Sequence, residues 1–197
     1  MEAVAIIPRV YTYQDYLTFP DEPRCELIDG VVYMMATPTE AHQRTLGNLN
    51  FTFGGFLRGR RCQVYLAPFD VRIPLFGEKA DDAFNVVQPD VMVYCNPKGV
   101  DKKGGVTAPE LVIEVLSPAT ATTDKVRKFQ LYEKAGMWEY RIVDTTKERV
   151  EVFRRKNEKF VRHGVYNKGD TLTCSLWDDF EMSVADVFYN EWEEQSD

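Results

Sequence analysis

Two strand-like runs each carry one carboxylate in apolar company. Asp90 lies in QPDVMVYC (88–95) and Glu114 in ELVIEVLSP (110–118). The stretch between them, NPKGVDKKGGVTA (96–108), is polar and rich in Gly and Pro, which suits a turn between antiparallel neighbours. If pairing is symmetric about Lys102, opposed residue numbers sum to 204, so Tyr94 faces Glu110, Met92 faces Val112 and Asp90 faces Glu114. Directly opposed side chains share a face at roughly 5 Å, and like charges there repel. A hard cation such as Mg²⁺, which takes one or two carboxylates with carbonyls and waters, would compensate them. The register is decisive, because a slip of one residue sends the two acids to opposite faces. The competing reading leaves one acid at a strand end in solvent, or protonated.

An amine is the natural companion to such a pair. Asp124, Lys128 and Tyr132 follow at helical i, i+4 spacing. Phe129 and Leu131 flank Lys128, so its stem can lie along apolar surface while the amine reaches the sheet. The plainer alternative is an exposed Asp124–Lys128 ion pair, which would contribute little. His42 falls four residues before Leu46, on the apolar stripe of its helix. A buried, hydrogen-bonded histidine is the more ordinary reading than a general base. His163 sits in a strand with no partner that can be named.

Several elements must position these groups. A short helix over YQDYLTF follows Thr12, a candidate N-cap. CELIDGVVYMMA reads as a hairpin, with Asp29-Gly30 as the favoured pair for a tight primed turn. Thr37-Pro38-Thr39-Glu40 reads as a capping box with Pro at the first helical position. Leu46, Leu49, Phe53 and Phe56 then form an inward stripe, which Gly54 and Gly55 weaken at its end. CQVYLA and FDVRI read as strands broken near Pro68. Thr122 or Thr123 can cap a helix that runs to Ala135 and ends at Gly136. EYRIVD, RVEVFR and KFVRHGV form a meander, and a strand at TLTCSL and a short helix at SVADVF close the chain. This order predicts an α/β or α+β fold, a mixed sheet flanked by helices, as one domain over residues 1–197.

Composition bounds the function classes. The 197 residues are 44% hydrophobic and 28% charged, with net charge −7, which argues against a protein that coats polyanions generally. RGRR (58–61) and RRKNEK (154–159) are candidate phosphate-gripping patches, although solvated surface loops are the blander reading. Cys25, Cys62, Cys95 and Cys174 contain no Cys-x-x-Cys pair, and Cys95 reads as a buried thiol. No apolar run approaches the roughly 20 residues of a membrane span. The start, MEAVAIIPRVY, lacks the features of a secretion signal, so a cytoplasmic location is the expectation, without disulfides.

Taken together, Pro-Asp at 89–90, Glu-Val-Leu-Ser-Pro at 114–118, Asp124, Lys128, Tyr132, and Ala-Gly-Met-x-Glu-Tyr-x-Ile-Val-Asp at 135–144 resemble the Uma2 family. CELIDGVVYMM and AHQRTLGNL (41–49) extend the resemblance over nearly the whole chain. That family, described as restriction endonucleases, belongs to the PD-(D/E)XK nuclease superfamily. The resemblance implies a restriction-endonuclease-like core and Mg²⁺-dependent hydrolysis of phosphodiester bonds in nucleic acid, DNA being expected, with Mn²⁺ able to substitute. Asp90 and Glu114, with the carbonyl of Val115, would hold the metal. Leu116 stands where the superfamily usually has its lysine, and the Uma2 variation places that lysine on the following helix, as Lys128. Glu26 would be an additional catalytic acid. Asp70, His42, Asp124 and Tyr132 would support this set. DNA would approach over the sheet edge, gripped by basic loops, and a homodimer would suit the cutting of two strands. The alternative function is a catalytically silent member that binds nucleic acid or protein.

Overall fold

The structure, a computed structural model, describes residues 9–116 and 123–194, with the side chains at 123–125 and 193–194 left aside. Helix α1 (Tyr13–Tyr16) starts where Thr12 N–H donates to the Asp15 carboxylate at 3.0 Å. Strands β1 (Cys25–Ile28) and β2 (Val31–Met34) form the expected hairpin. Its turn puts Asp29 and Gly30 at φ 50° and 73°. A Cβ on Gly30 would collide with Val10, so both conformation and space select glycine.

Helix α2 (Glu40–Leu57) buries Leu46, Leu49 and Phe53. Its N-cap is Thr39 rather than Thr37: the Thr39 hydroxyl accepts from His42 N–H at 3.2 Å, which leaves Pro38 outside the helix. Gly54 and Gly55 do not end it early, because the buried Phe53 and Leu57 carry the last turn. Strands β3 (Gln63–Leu66), β4 (Val71–Arg72), β5 (Val86–Val87), β6 (Val91–Tyr94), β7 (Val100–Asp101), β8 (Gly104–Gly105) and β9 (Leu111–Leu116) follow. Helix α3 (Thr123–Lys134) crosses to β10 (Glu139–Asp144), and Gly136 takes the left-handed conformation beyond its end, at φ 83°. The meander of β10, β11 (Arg149–Lys156) and β12 (Lys159–Asn167) precedes β13 (Thr171–Thr173), β14 (Glu181–Ser183) and α4 (Val184–Val187).

The strands make two six-stranded sheets, β2-β1-β5-β4-β8-β7 and β12-β11-β10-β9-β6-β3, and one small pair, β13-β14. The predicted mixed sheet with flanking helices is therefore present: β9 and β10 run parallel around α3, and the other pairs of that sheet are antiparallel. Alternation divides its side chains. Val91, Val93, Leu111, Ile113 and Val115 pack towards α2 and the C-terminal strands. Met92, Tyr94, Val112, Tyr140 and Ile142 pack towards α3 and the other sheet.

Cysteine usage departs from expectation. Cys62 and Cys95 form a disulfide, with an S–S distance of 2.01 Å. They sit one step beyond the paired residues Gln63 and Tyr94 of β3 and β6. A pairing between residues 33 apart in sequence is set by that register, which no cysteine spacing announces.

Two buried arginines tie the edges down. Arg72 reaches Asp81 and Asp101 and donates to the Gly105 carbonyl. Arg141 donates to Glu139 at 2.7 Å and to the Thr173 carbonyl. Glu139 also accepts from Arg154 and from Ser175 N–H. Burial by itself would raise the Glu139 pKa, but Arg141 and these donors hold it below the usual range. Arg155 donates to the Glu133 carbonyl and Lys159 pairs with Glu133, so the RRKNEK run braces the fold. Replacing Glu139 by Ala strands the Arg141 charge in the interior. Urea unfolding is expected to show a loss of about 3–5 kcal/mol, and a loss of under about 1 kcal/mol would remove this network as an anchor.

Candidate active site

The 204 register is observed. Val91 pairs with Ile113, Met92 with Val112, and Val93 with Leu111, which carries Asp90 to the position opposite Glu114. Both line one pocket of about 290 Å³, together with Glu26, His42, Val115 and Lys128. Each comes from a different part of the fold. Glu26 is on β1, His42 in the first turn of α2, Asp90 just before β6, Glu114 and Val115 on β9, and Lys128 on α3.

Lys128 turns inward. Its Nζ lies 2.9 Å from Glu26 Oε1 and 3.1 Å from Glu114 Oε1. The Tyr132 hydroxyl donates to the same Glu114 oxygen at 2.6 Å. Burial pushes the Glu114 carboxyl up to about 7; Lys128 opposes this, while the charges of Asp90 and Glu26 add to it. Burial alone would lower the Lys128 pKa, but Glu114 and Glu26 outweigh it and hold the amine above its ordinary range. The two carboxylates thus favour the charged form of the amine.

Asp90 is oriented by two donors on one oxygen. Val115 N–H donates to Oδ2 at 2.8 Å, and His42 Nε2 lies 3.2 Å from the same atom. His42 is buried, as its place on the stripe implied, and the Asp90 contact raises its pKa against the opposing effect of burial. Among the described residues its buried Nδ1 has no hydrogen-bond partner.

The remaining expected residues divide. Tyr132 is packed behind Glu114. Asp70 lies outside the pocket lining and accepts from Tyr16 at 3.0 Å and from Gln88 at 2.9 Å. The Asp124 side chain falls outside the described residues. The sequence reading missed Gln88. Its backbone N–H donates to Glu26 at 2.7 Å while its side chain holds Asp70. Its place two residues before Asp90, with strand periodicity, was the available signal. Arg60, from the RGRR run, is bound to Asp179 by two hydrogen bonds and lies over Phe56.

Among the described residues, no group of three or more His, Cys, Asp or Glu side chains is placed to hold a metal by itself. The Lys128 amine stands between Glu26 and Glu114, and one Asp90 oxygen is turned to Val115 and His42. The remaining donor set, two carboxylates with a neighbouring carbonyl, is of the hard-oxygen kind that suits Mg²⁺ completed by water.

The family model described as "Uma2: Putative restriction endonuclease" matches residues 11–185. The chain belongs to the Uma2 family. Among its relatives are two uncharacterised proteins of Synechocystis sp. The first, slr1290, is 28% identical over 148 residues, which is 74% of each chain. The second, sll1609, is 28% identical over 161 residues, 79% of this chain and 87% of the relative. A crystal structure from Anabaena variabilis, described as "a putative nuclease belonging to DUF820", matches with a TM-score of 0.72 and 19% identity. That match covers 90% of this chain and 97% of the other, so the two share a fold. Among the described residues no helix is long and apolar enough to cross a membrane.

The raised Glu114 pKa has a consequence for the metal-free Uma2 protein. Between about pH 4.5, the ordinary value, and about 7, the folded state holds a proton that the unfolded chain has released. This contribution is full below that window and lost as pH rises through it. Glu114→Gln removes the dependence. Its melting temperature in EDTA, relative to the native chain, is expected to rise from pH 5 to pH 8, by at most on the order of 3 kcal/mol in stability at about 1.4 per pH unit. A constant difference across that range would show that Glu114 is not held up by burial.

Proposed function

We propose that this chain is a Mg²⁺-dependent endonuclease that hydrolyses phosphodiester bonds of nucleic acid, with DNA as substrate and Mn²⁺ able to replace Mg²⁺. The observation that carries this reading is the convergence of Asp90 and Glu114 with an inward-facing Lys128 in one pocket. Family membership supports the reaction class.

Asp90, Glu114 and the Val115 carbonyl would hold the metal, which when bound lowers the pKa of water and offsets charge on the phosphate. The chain's own residues supply the rest. Val115 N–H and His42 keep the Asp90 carboxylate from rotating. Lys128 remains protonated and faces the pocket, where it can donate to a phosphate oxygen as negative charge develops in the transition state. Glu26 positions that amine, and Gln88 N–H in turn fixes Glu26. Tyr132 fixes Glu114 from behind.

Two measurements test the reading. Plasmid nicking in Mg²⁺ or Mn²⁺ is expected from the native chain and to fall by about 10²-fold or more in Asp90→Asn, the scale seen when a single group serving the transition state is lost. Equal nicking by both proteins would assign the activity to a contaminant. Millimolar Mg²⁺ is also expected to raise the melting temperature of the native chain, since a ligand that binds only the folded state stabilises it. The absence of both nicking and a shift would leave a silent binding module.

A further inference from the structure

A second pocket, of about 300 Å³, opens beside the first. Ile28 and Tyr33 line both, so the two are neighbours that share a wall on the β1–β2 hairpin. Tyr33 lies directly opposite Glu26 in that hairpin. Helix α3 supplies the other wall of each. Lys128 lines the acidic side, with Tyr132 behind Glu114, while Arg127, Gln130, Leu131 and Lys134, at i, i+3, i+4 and i+7, line the second pocket.

The two pockets differ in charge. The first gathers Glu26, Asp90 and Glu114 against Lys128 and Arg24. The second has Arg127 and Lys134 against Asp29. Among the described residues no carboxylate pairs with Arg127 or Lys134. The Arg127 guanidinium lies 4.5 Å from the centre of the Tyr33 ring. A guanidinium stacked on a ring keeps its N–H edge for bidentate contact with phosphate. Within the basic runs near the chain's other turns, Arg60 is engaged by Asp179, Arg154 by Glu139 and Arg155 by the Glu133 carbonyl, and none of these runs lines either of the two pockets.

We infer that the second pocket holds a backbone phosphate of the DNA strand that continues past the bond to be cut, gripped by Arg127 and Lys134. The inference rests on the nuclease reading above. A polyanion entering a pocket with an excess of carboxylates needs cationic groups beside it. This face of α3 provides them on the same helix that carries Lys128, so strand position and amine position are fixed together. The two cations touch backbone only, so they set where the strand lies without selecting its sequence.

The test uses Arg127→Gln/Lys134→Gln in the full chain. Binding of a fluorescein-labelled DNA duplex of about 30 base pairs is measured in Mg²⁺ across KCl concentrations, with Asp90→Asn added to every protein to keep the probe intact. Each phosphate no longer neutralised should flatten the slope of log K against log salt by about 0.9, so a change of about 2 is expected from the pair. In the Asp90-containing chain, the KM for nicking should rise while kcat changes little. The Mg²⁺-induced melting shift should match the native value, which reports an intact fold and acidic pocket. Should the double variant fail to fold, each single Gln variant is expected to flatten the slope by about 1. Unchanged slope and KM, with native nicking intact, would overturn this assignment alone. A native chain that neither binds nor nicks DNA would overturn the nuclease reading and this one with it.

Discussion

The structure turns on a buried carboxylate that needs a cation. Glu114 lies in an apolar strand, with two further acids sharing its pocket. Burial and like charge both disfavour its ionised form. The chain supplies relief with a single amine, Lys128, held against Glu114 and Glu26 together. Such a buried ion cluster contributes little net stability, because desolvation offsets most of its attraction. What it provides is position: an acid, an amine and a phenol fixed within hydrogen-bonding distance of one another.

That position requires the two large sheets to meet. Asp90 and Glu114 come from the long sheet, but Glu26 comes from the other one, and Lys128 from the crossover between two parallel strands. His42 arrives from the opposite side of the long sheet, on α2. Because Asp90 stands just before the start of β6, one oxygen can take a backbone donor from β9 and a ring nitrogen from α2 at once. The remote arginine networks serve this arrangement indirectly. Arg141 and Glu139 fasten the C-terminal segment beside β10, and Arg72 fastens the loops before β5 and around β7. The parts that converge on the pocket are thereby held in place at their far ends.

Much of this was legible. The strand pairing of Asp90 with Glu114 followed from the symmetry of one connector, and the hairpin at Asp29-Gly30 from turn chemistry. The direction of Lys128 was one of two readings of the same spacing. Its surface alternative gave way because the pocket offered two buried carboxylates. The N-cap moved from Thr37 to Thr39, since both fit the local pattern and only the observed helix shows which hydroxyl meets a free N–H. The basic runs read as candidate phosphate-gripping patches, yet Arg154 and Arg155 are drawn to partners that lie near only in three dimensions.

The sequence by itself determined the main helices and longer strands, their order, the register of the two acidic strands and which acids and amine could meet, because these depend on periodicity, turn residues and spacing within local segments. Only the tertiary structure decided that Gln88 holds Glu26 in place, that His42 orients Asp90, that Asp70 stands outside the pocket and that Cys62 meets Cys95. Those interactions link segments from 33 to 62 residues apart, or separate neighbours in space that pattern alone would group. The reason is physical: local propensity fixes which way a side chain points from its own strand or helix, but what it meets there depends on how the two sheets and α3 pack.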